Sequence, residues 1–357
     1  MRIGLLAPLI APLRETQIGG AQALVCDLAT ALTARGHDVE VIAAQGSAVP
    51  GVTMVESGVD AAELEGSAYR SDGGGAGGAG RRTDDAYRRA LGVARERDYA
   101  VLHNHAFDAA AIHHAGGAAP AVVHTLHLPP DAAVAAALAL AGRRPHPPHV
   151  ACVSAAQARA WEGLCAVETV LANGVPVAAI PWDERPGDAA VFAGRLSPEK
   201  GVDDAARIAL GSGMRLEVYG DDYDPAFAAD CRERWASSGA VVFRGPVSRR
   251  RLWRRLAGAA ALLAPSGWEE PFGLAAAEAQ AAGTPVVGYR RGGLSEVVAE
   301  GRSGFLVDPG DVAAGSAALL RVGREIGRAD CRRHAERHLD IAATAAAHER
   351  LYARLAA

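Results

Sequence analysis

Residues 265–311 read PSGWEEPFGLAAAEAQAAGTPVVGYRRGGLSEVVAEGRSGFLVDPGD, and this is the stretch of the chain whose pattern indicates a fold most specifically. Their pattern predicts a strand that ends at Ser266, a loop that carries Glu270, and a helix that opens near Gly273. Two further strands are predicted before the stretch ends. Strands that alternate with helices form parallel sheets, so this stretch predicts an α/β fold.

The same alternation extends over the rest of the chain. Runs rich in valine, isoleucine and leucine predict five strands in the first half, at residues 2–7, 38–43, 100–105, 121–127 and 149–154. Six are predicted in the second half, at residues 190–196, 216–219, 240–243, 260–264, 285–289 and 304–307. Residues 20–35 are the clearest helix, which Gly36 is placed to end. Residues 180–188 are interpreted as a linker between two Rossmann-like halves.

The length of the chain also indicates two domains. At 357 residues it exceeds the ~250 to 300 residues at which a single hydrophobic core stops growing. The net charge of −4 excludes a strongly basic nucleic-acid-binding protein, so no nucleic-acid partner is expected.

The cysteines and the apolar segments bear on the compartment. The five cysteines contain no C-x-x-C pair, so neither a disulfide framework nor a thiolate zinc site is indicated. The apolar run at the amino terminus is short and broken by proline, unlike a signal segment or a membrane span. We therefore expect a soluble, cytoplasmic protein.

Lys200 is the single lysine among 37 basic residues. Drift of codon usage towards arginine accounts for the absence of lysine elsewhere but not for the position of this one. Arg195 and Lys200 follow the first predicted strand of the second half, and α/β folds bind ligands beyond the carboxyl ends of their strands. Two cations there suit a diphosphate; the alternative is an ordinary pair of surface charges.

Two carboxylates, Glu270 and Glu278, lie eight residues apart in the first stretch quoted. If most of the interval is helical, they are about 12 Å apart, which one ligand of the length of a nucleoside-diphosphate sugar would span. The helix opening offers unpaired N–H groups that attract anions. The alternative is a solvated helix face.

These motifs resemble the retaining glycosyltransferases of family 4. The resemblance rests on the two glutamates of EPFGLAAAE, which have seven residues between them, and on AAGTPVV, GGLSEVV and GRSGFLVDPGD. It continues through FAGRLSPEKGVD, NGVP, VVHTLH, VLHNH, GGAQ and RGHDV, and so covers nearly the whole chain. It implies the GT-B fold, in which two Rossmann-like domains with parallel sheets face a central cleft.

The resemblance also implies which domain binds which substrate. Residues 1–178 are expected to form the acceptor-binding domain, with a helix at residues 338–357 packing back on it. Residues 179–337 are expected to form the donor-binding domain. The implied reaction moves a sugar, a hexose by type, from a nucleoside-diphosphate sugar to a hydroxyl of a small-molecule or lipid acceptor, with retention at the anomeric carbon. UDP is favoured over GDP, and no metal or other cofactor is expected besides the sugar nucleotide as co-substrate.

The resemblance assigns roles at the reacting centre. His127 is the implied active-site histidine near the reacting sugar. Arg195 and Lys200 would neutralise the leaving diphosphate, and Glu270 would bond a hydroxyl of the donor sugar. In the family's usual mechanism the leaving phosphate helps to deprotonate the acceptor on the same face of the sugar.

Further residues are implied in donor binding. Glu278 would bond the ribose hydroxyls, and the sugar or phosphate would be held by the backbone amides of Phe272, Gly273 and Leu274. Gly19 and Gly20 precede the first helix and let a phosphate approach the backbone. Gln22 stands where the family often has an acid, which puts a contact from that side chain in doubt.

Three other functions compete with this interpretation. A sugar-nucleotide epimerase of the same fold and a non-catalytic sugar-nucleotide binder would share the nucleotide site. An NAD-dependent oxidoreductase would need the G-x-G-x-x-G match at residues 73–78, which neither follows a predicted strand nor opens the first helix of a βαβ unit.

A metal site and a membrane surface are the remaining alternatives. The histidines that invite a metal are His103, His105, His113 and His114, and residues 222–224 match an Asp-x-Asp motif. Neither has the context of a metal site, and the Asp-x-Asp match is expected to be a surface turn. The basic segment at residues 249–255 suits either an anionic membrane or a solvated helix face, and the solvated face is favoured.

Overall fold

The computed structural model describes residues 1–14, 19–64, 79–185 and 187–357. The chain divides into two compact units, Met1–Ala172 with Thr344–Ala357, and Asn173–Ala343. The first segment of the first unit ends at Ala172, whereas the sequence analysis placed the boundary at residue 178. The G-x-G-x-x-G match at residues 73–78 lies outside the described residues.

The first unit contains a sheet of seven parallel strands. They are β1 (Arg2–Leu6), β2 (Asp38–Ala43), β3 (Thr53–Glu56), β4 (Val101–Asn104), β5 (Ala121–Leu126), β6 (His149–Cys152) and β7 (Thr169–Val170). Their order in the sheet is β3-β2-β1-β4-β5-β6-β7. The five predicted strands are present, and the two edge strands β3 and β7 were not predicted.

The helices of this unit include one from the far end of the chain. They are α1 (Gly20–Ala34), α2 (Ala79–Arg95), α3 (Ala109–Ala115), α4 (Ala132–Ala141), α5 (Ala155–Ala160) and α13 (Ile341–Leu355). Leu351 and Tyr352 of α13 are buried in the same core as Ile3 and Leu5 of β1. The end of the chain therefore completes the core of the unit that begins it.

The second unit contains a sheet of six parallel strands. They are β8 (Ala189–Ala193), β9 (Arg215–Tyr219), β10 (Val241–Gly245), β11 (Ala261–Ala264), β12 (Val286–Tyr289) and β13 (Gly304–Val307). Its helices are α6 (Val202–Gly211), α7 (Pro225–Trp235), α8 (Arg249–Ala257), α9 (Leu274–Ala281), α10 (Leu294–Val297), α11 (Val312–Glu325) and α12 (Arg328–His338). All six predicted strands are present.

The strand order of the second sheet places a binding crevice. The order is β10-β9-β8-β11-β12-β13, so the chain moves outward from β8 in one direction and then returns to β8's other side with β11. Loops at such a reversal leave the sheet on opposite faces and open a crevice at the carboxyl ends of the strands. The loops that follow β8 and β11 therefore form the expected ligand site of this unit.

The segment interpreted as a linker is held against the second unit. Arg328 Nε donates to the carbonyl oxygen of Asp183 at 2.6 Å, and Arg332 Nη1 donates to that of Ile180 at 3.0 Å. Ile180 is itself buried. Two arginines of α12 thus fix a stretch whose sequence alone indicated a free connection. Within the described residues, none of the helices has the length and apolar character that a membrane crossing needs.

Candidate functional site

The loop after β8 approaches the loop after β11 through a single glycine. A short 3₁₀ turn, Pro198–Lys200, is followed by Gly201, whose φ of +74° lies in the left-handed region. A Cβ atom at Gly201 would overlap the carbonyl oxygen of Pro265. Only glycine can both adopt this backbone conformation and lie this close to Pro265. It places Lys200 beside the carboxyl end of β11.

Lys200 and Glu270 form an ion pair at this junction. Lys200 Nζ donates to Glu270 Oε2 at 2.7 Å, and the two side chains are about one-fifth exposed. Trp268 Nε1 donates to the same oxygen at 2.9 Å, with Ser266 Oγ at 3.4 Å. Burial acts to raise the pKa of Glu270, but the charge of Lys200 and these hydrogen bonds outweigh it and hold that pKa below its usual value.

Trp268 lies against both predicted cations. Its ring centroid is 4.7 Å from Lys200 Nζ and 5.6 Å from the guanidinium carbon of Arg195. Arg195 also lies 4.4 Å from the ring of Tyr223 and donates to Glu199 at 2.9 Å. The structure thus brings Arg195, Lys200 and Glu270 together around Trp268. The sequence analysis did not select Trp268. Its position beside the paired glutamates was an available signal, because the chain has only five tryptophans.

The loop that carries Glu270 is clamped on two sides. Gly267 N–H donates to the carbonyl oxygen of Glu199 at 2.8 Å, and Gly293 N–H donates to that of Glu270 at 2.7 Å. Gly292 has a φ of +56°, and a Cβ atom there would come within 2.6 Å of the backbone nitrogen of Glu270. The glycines of GGLSEVV therefore set how closely the turn before α10 packs on Glu270.

The helix after this loop begins close to where the sequence predicted. Helix α9 starts at Leu274, and Gly273 caps it with a φ of +101°. Glu270 consequently lies in the loop, so the 12 Å helical spacing to Glu278 does not apply to the whole interval. Among the described residues, the amides of Phe272, Gly273 and Leu274 have no hydrogen-bond acceptor. They are the N–H groups that a helix amino terminus offers to an anion.

Glu278 lies inside the second unit rather than on a solvated face. It is 4% exposed, and Arg249 Nε donates to its Oε1 at 2.6 Å. Arg249 belongs to the basic helix α8, where Trp253 is also buried. The sequence analysis treated this helix as a surface feature and did not connect it with Glu278.

The glycines predicted in the first unit lie at the start of α1. Gly19 caps the helix with an extended backbone, φ −153°, and Gly20 is its first residue. Gln22 is 1% exposed, and its amide atoms have no partner in the part of the chain that the structure describes. Residues 15–18, just before these glycines, lie outside that part.

His127 directly follows β5 and belongs to a group of histidines. Its Nε2 lies 3.0 Å from His105 Nδ1, and the ring of His105 stacks on that of His103 at 4.0 Å between centroids. His348 of α13 lies 5.4 Å from His103 by the same measure. We call His103, His105, His127 and His348 the histidine cluster. Burial, with a smaller effect of His348, lowers the pKa of His127 to about 3, so its imidazole is neutral at physiological pH.

Two of the four histidines considered for a metal contact a side chain that is not histidine. His103 Nε2 lies 2.6 Å from Thr125 Oγ1, and His114 Nε2 lies 2.8 Å from Asp84. No group of three or more His, Cys, Asp or Glu with metal-binding geometry occurs in the described ranges. In the Asp-x-Asp match, Asp222 pairs with Arg232 and Asp224 caps α7 by accepting from Phe227 N–H.

Each half of the chain matches the model of a known protein family. Residues 18–179 match the family model described as Glycosyltransferase Family 4, and residues 184–337 match the model described as Glycosyl transferases group 1. The chain is 39% identical over 193 residues to D-inositol 3-phosphate glycosyltransferase 2 of Catenulispora acidiphila, covering 47% of this chain and 44% of that protein. It is 36% identical over 163 residues to glycogen synthase of Mycobacterium tuberculosis, covering 43% of this chain and 39% of that protein.

These alignments span less than half the length of both curated relatives. A solved structure, Anabaena HepE in complex with UDP-glucose, has a similar fold over 99% of this chain and 100% of that chain, with a TM-score of 0.74 at 18% identity. A likeness at that identity concerns the fold. The two family matches account for residues of both units, each with its parallel sheet, and the chain belongs to the family 4 glycosyltransferases of the GT-B fold.

Proposed function

We propose that this protein is a retaining glycosyltransferase that transfers a sugar from a UDP-sugar, favoured over a GDP-sugar, to a hydroxyl of a small-molecule or lipid acceptor. One observation carries the proposal: Arg195 and Lys200 meet around Trp268 at the reversal of strand order, beside Glu270 and the start of α9. The names of the relatives and the UDP-glucose bound to HepE support the same reaction class.

The diphosphate of the donor is assigned to Arg195 and Lys200. When the bond between the sugar C1 and the phosphate oxygen breaks, its electron pair stays on the phosphate. The cations offset the charge that develops there, and they do so without rearranging solvent because Trp268 and Glu270 already hold Lys200 in place. The free amides at the start of α9 add donors for the same anion.

Glu270 is assigned to the donor sugar. Its Oε2 accepts from Lys200, Trp268 and Ser266, while Oε1 has no partner among the described residues. A carboxylate whose pKa is held below its usual value is an acceptor only, which suits it to a sugar hydroxyl. Because Glu270 is committed to these contacts, it is not assigned as a nucleophile.

The transfer itself is assigned to the departing phosphate and the acceptor. The acceptor oxygen bonds to C1 on the face that the phosphate leaves, and the acceptor proton passes to the phosphate oxygen. The sugar configuration is therefore retained. His127, neutral and held by His105, is assigned to a hydrogen bond with the reacting sugar.

A donor panel tests the proposal. The purified protein is incubated with UDP- and GDP-sugars, and released nucleoside diphosphate is measured, since slow hydrolysis reveals the donor without the acceptor. Release from a UDP-sugar is expected, and the configuration of the transferred sugar is then read by NMR. Interconversion of sugar nucleotides without release would indicate an epimerase. Binding without turnover of any donor, even with acceptors supplied, would indicate a binder.

A further inference from the structure

Arg249 and Glu278 form a buried ion pair between helices α8 and α9. Arg249 Nε donates to Glu278 Oε1 at 2.6 Å, and the side chains are 12% and 5% exposed. The guanidinium carbon of Arg249 lies 4.9 Å from the ring centroid of Trp253, one turn further along α8. Trp253 is itself buried. Arg249 is therefore held by a ring on its own helix and by a carboxylate on the next.

The other arginines of α8 differ from Arg249. They are Arg250, Arg251, Arg254 and Arg255. These four side chains are exposed, and none of them makes an ion pair with the described residues. One arginine of five thus points inward. This sets Arg249 apart from a helix whose charge otherwise faces solvent.

A carboxylate as buried as Glu278 needs a compensating charge. Burying an ionised carboxylate without a partner costs several kcal/mol of folding free energy. Removing one member of a buried pair leaves the other member with that cost uncompensated. Within the described chain, Arg249 is the one partner of this carboxylate. Because Arg249 occupies Oε1, Oε2 is the oxygen that remains for a ligand.

We infer that Arg249 is a positioning residue that orients the Glu278 carboxylate so that Oε2 accepts from the ribose hydroxyls of the donor nucleotide. The inference rests on the proposed function and on the role that the family resemblance implies for Glu278, a contact with the ribose of the donor. A carboxylate oxygen only accepts hydrogen bonds, so it selects a sugar that carries hydroxyl donors. Arg249 is therefore needed for the preference for ribose over deoxyribose, and not for contacts with the diphosphate.

The test compares two ligands that differ by one hydroxyl. Calorimetry measures the dissociation constants of UDP and 2′-deoxy-UDP, with GDP and 2′-deoxy-GDP as a second pair. Wild-type protein is expected to bind the ribonucleotide at least about tenfold more tightly, the usual effect of a hydrogen bond to a charged group. Arg249→Ala is expected to weaken UDP binding about tenfold, leave 2′-deoxy-UDP nearly unchanged, and bring the ratio close to one.

Two variants control for charge and for folding. Arg250→Ala removes the neighbouring positive charge of the same helix and is expected to keep the ratio of the wild type. Arg249→Lys keeps the charge without the guanidinium Nε and is expected to lower the ratio; it carries the test if circular dichroism shows that Arg249→Ala does not fold. In an E278Q background, Arg249→Ala is expected to have little added effect on the ratio.

The outcomes separate the inference from the proposed function. If the wild type discriminates and folded Arg249→Ala or Arg249→Lys discriminates equally well, the inference is overturned. An equal loss of affinity for both nucleotides would also overturn it, because a purely structural role predicts such a loss. If the wild type binds none of the four nucleotides, the proposed function itself fails.

Discussion

Lys200 Nζ lies 2.7 Å from Glu270 Oε2, although 70 positions separate the two residues in the chain. The pair joins the loop after β8 to the loop after β11, which the strand order places side by side. Trp268 contacts both members, through its ring to Lys200 and its Nε1 to Glu270. The single lysine of the chain therefore lies at the point where the two loops of the proposed donor site meet.

Lys200→Ala is expected to abolish binding of the sugar nucleotide and to leave the fold intact. The Lys200 side chain is 21% exposed and lies outside the hydrophobic core, so its loss removes charge rather than packing. Calorimetry with UDP- and GDP-sugars, beside circular dichroism, measures both effects. Arg207→Ala, which removes an exposed cation paired with Asp203, is the matched control. Wild-type affinity in Lys200→Ala would refute the phosphate contact.

Lys200→Arg is expected to lower donor turnover at least about tenfold, although the charge is kept. Lysine presents a compact charge with three rotatable donors, whereas the guanidinium is broad and planar. The space beside Trp268 and Glu270 holds an ammonium group at 2.7 Å from the carboxylate. Released nucleoside diphosphate is the measurement. Full activity of this variant would show that the position needs a positive charge and not a lysine.

Gly292→Ala is expected to weaken donor binding by displacing Glu270. Its φ of +56° strains any other residue, and the added Cβ would come within 2.6 Å of the Glu270 backbone nitrogen. Gly301→Ala is the matched control, since its φ is +71° and nothing lies within 4 Å. Gly301→Ala is expected to lose about 1 to 2 kcal/mol of stability by denaturant unfolding, and Gly292→Ala is expected to lose more, because its Cβ also overlaps the Glu270 backbone. A similar donor affinity in the two variants would show that donor binding tolerates the displacement of Glu270.

Acidification is expected to destabilise the first unit through its buried histidines. Burial lowers the pKa of His127 to about 3 and of His348 to about 4, and it also lowers the pKa of His103 and His105 well below the ordinary histidine value. The unfolded chain therefore binds protons more readily. Stability is complete above pH 6.5, the ordinary histidine value, and falls as the pH drops from there towards the folded-state values.

The expected slope is about 1.4 kcal/mol per pH unit for each histidine that titrates. Denaturant unfolding between pH 8 and pH 5 measures it, with probes in the first unit. Replacing His348, which is buried, by phenylalanine should reduce the slope, whereas His146→Gln at an exposed position should not. A stability that does not change between pH 8 and pH 5 would contradict the expectation.

Much of the fold was predictable because buried parallel strands leave a local signal. All eleven predicted strands are present, and they are short apolar runs of the kind that helices cover on both faces of a parallel sheet. The edge strands Thr53–Glu56 and Thr169–Val170 were missed, since each is short and only partly buried. The predicted start of α9 near Gly273 is confirmed, because Gly273 caps a helix that begins at Leu274.

The sequence by itself determined the α/β class, the two halves, the position of the lone Lys200 and the spacing of the two glutamates, since these are local patterns of residue type. Only the tertiary structure decided that Lys200 reaches Glu270 across Trp268, and that Glu278 is buried against Arg249. Those contacts depend on strand order and on glycines that let loops approach each other. Neither the strand order nor the approach of these loops can be recognised in a short segment of the sequence, because strands far apart in sequence become neighbours only when the sheet forms.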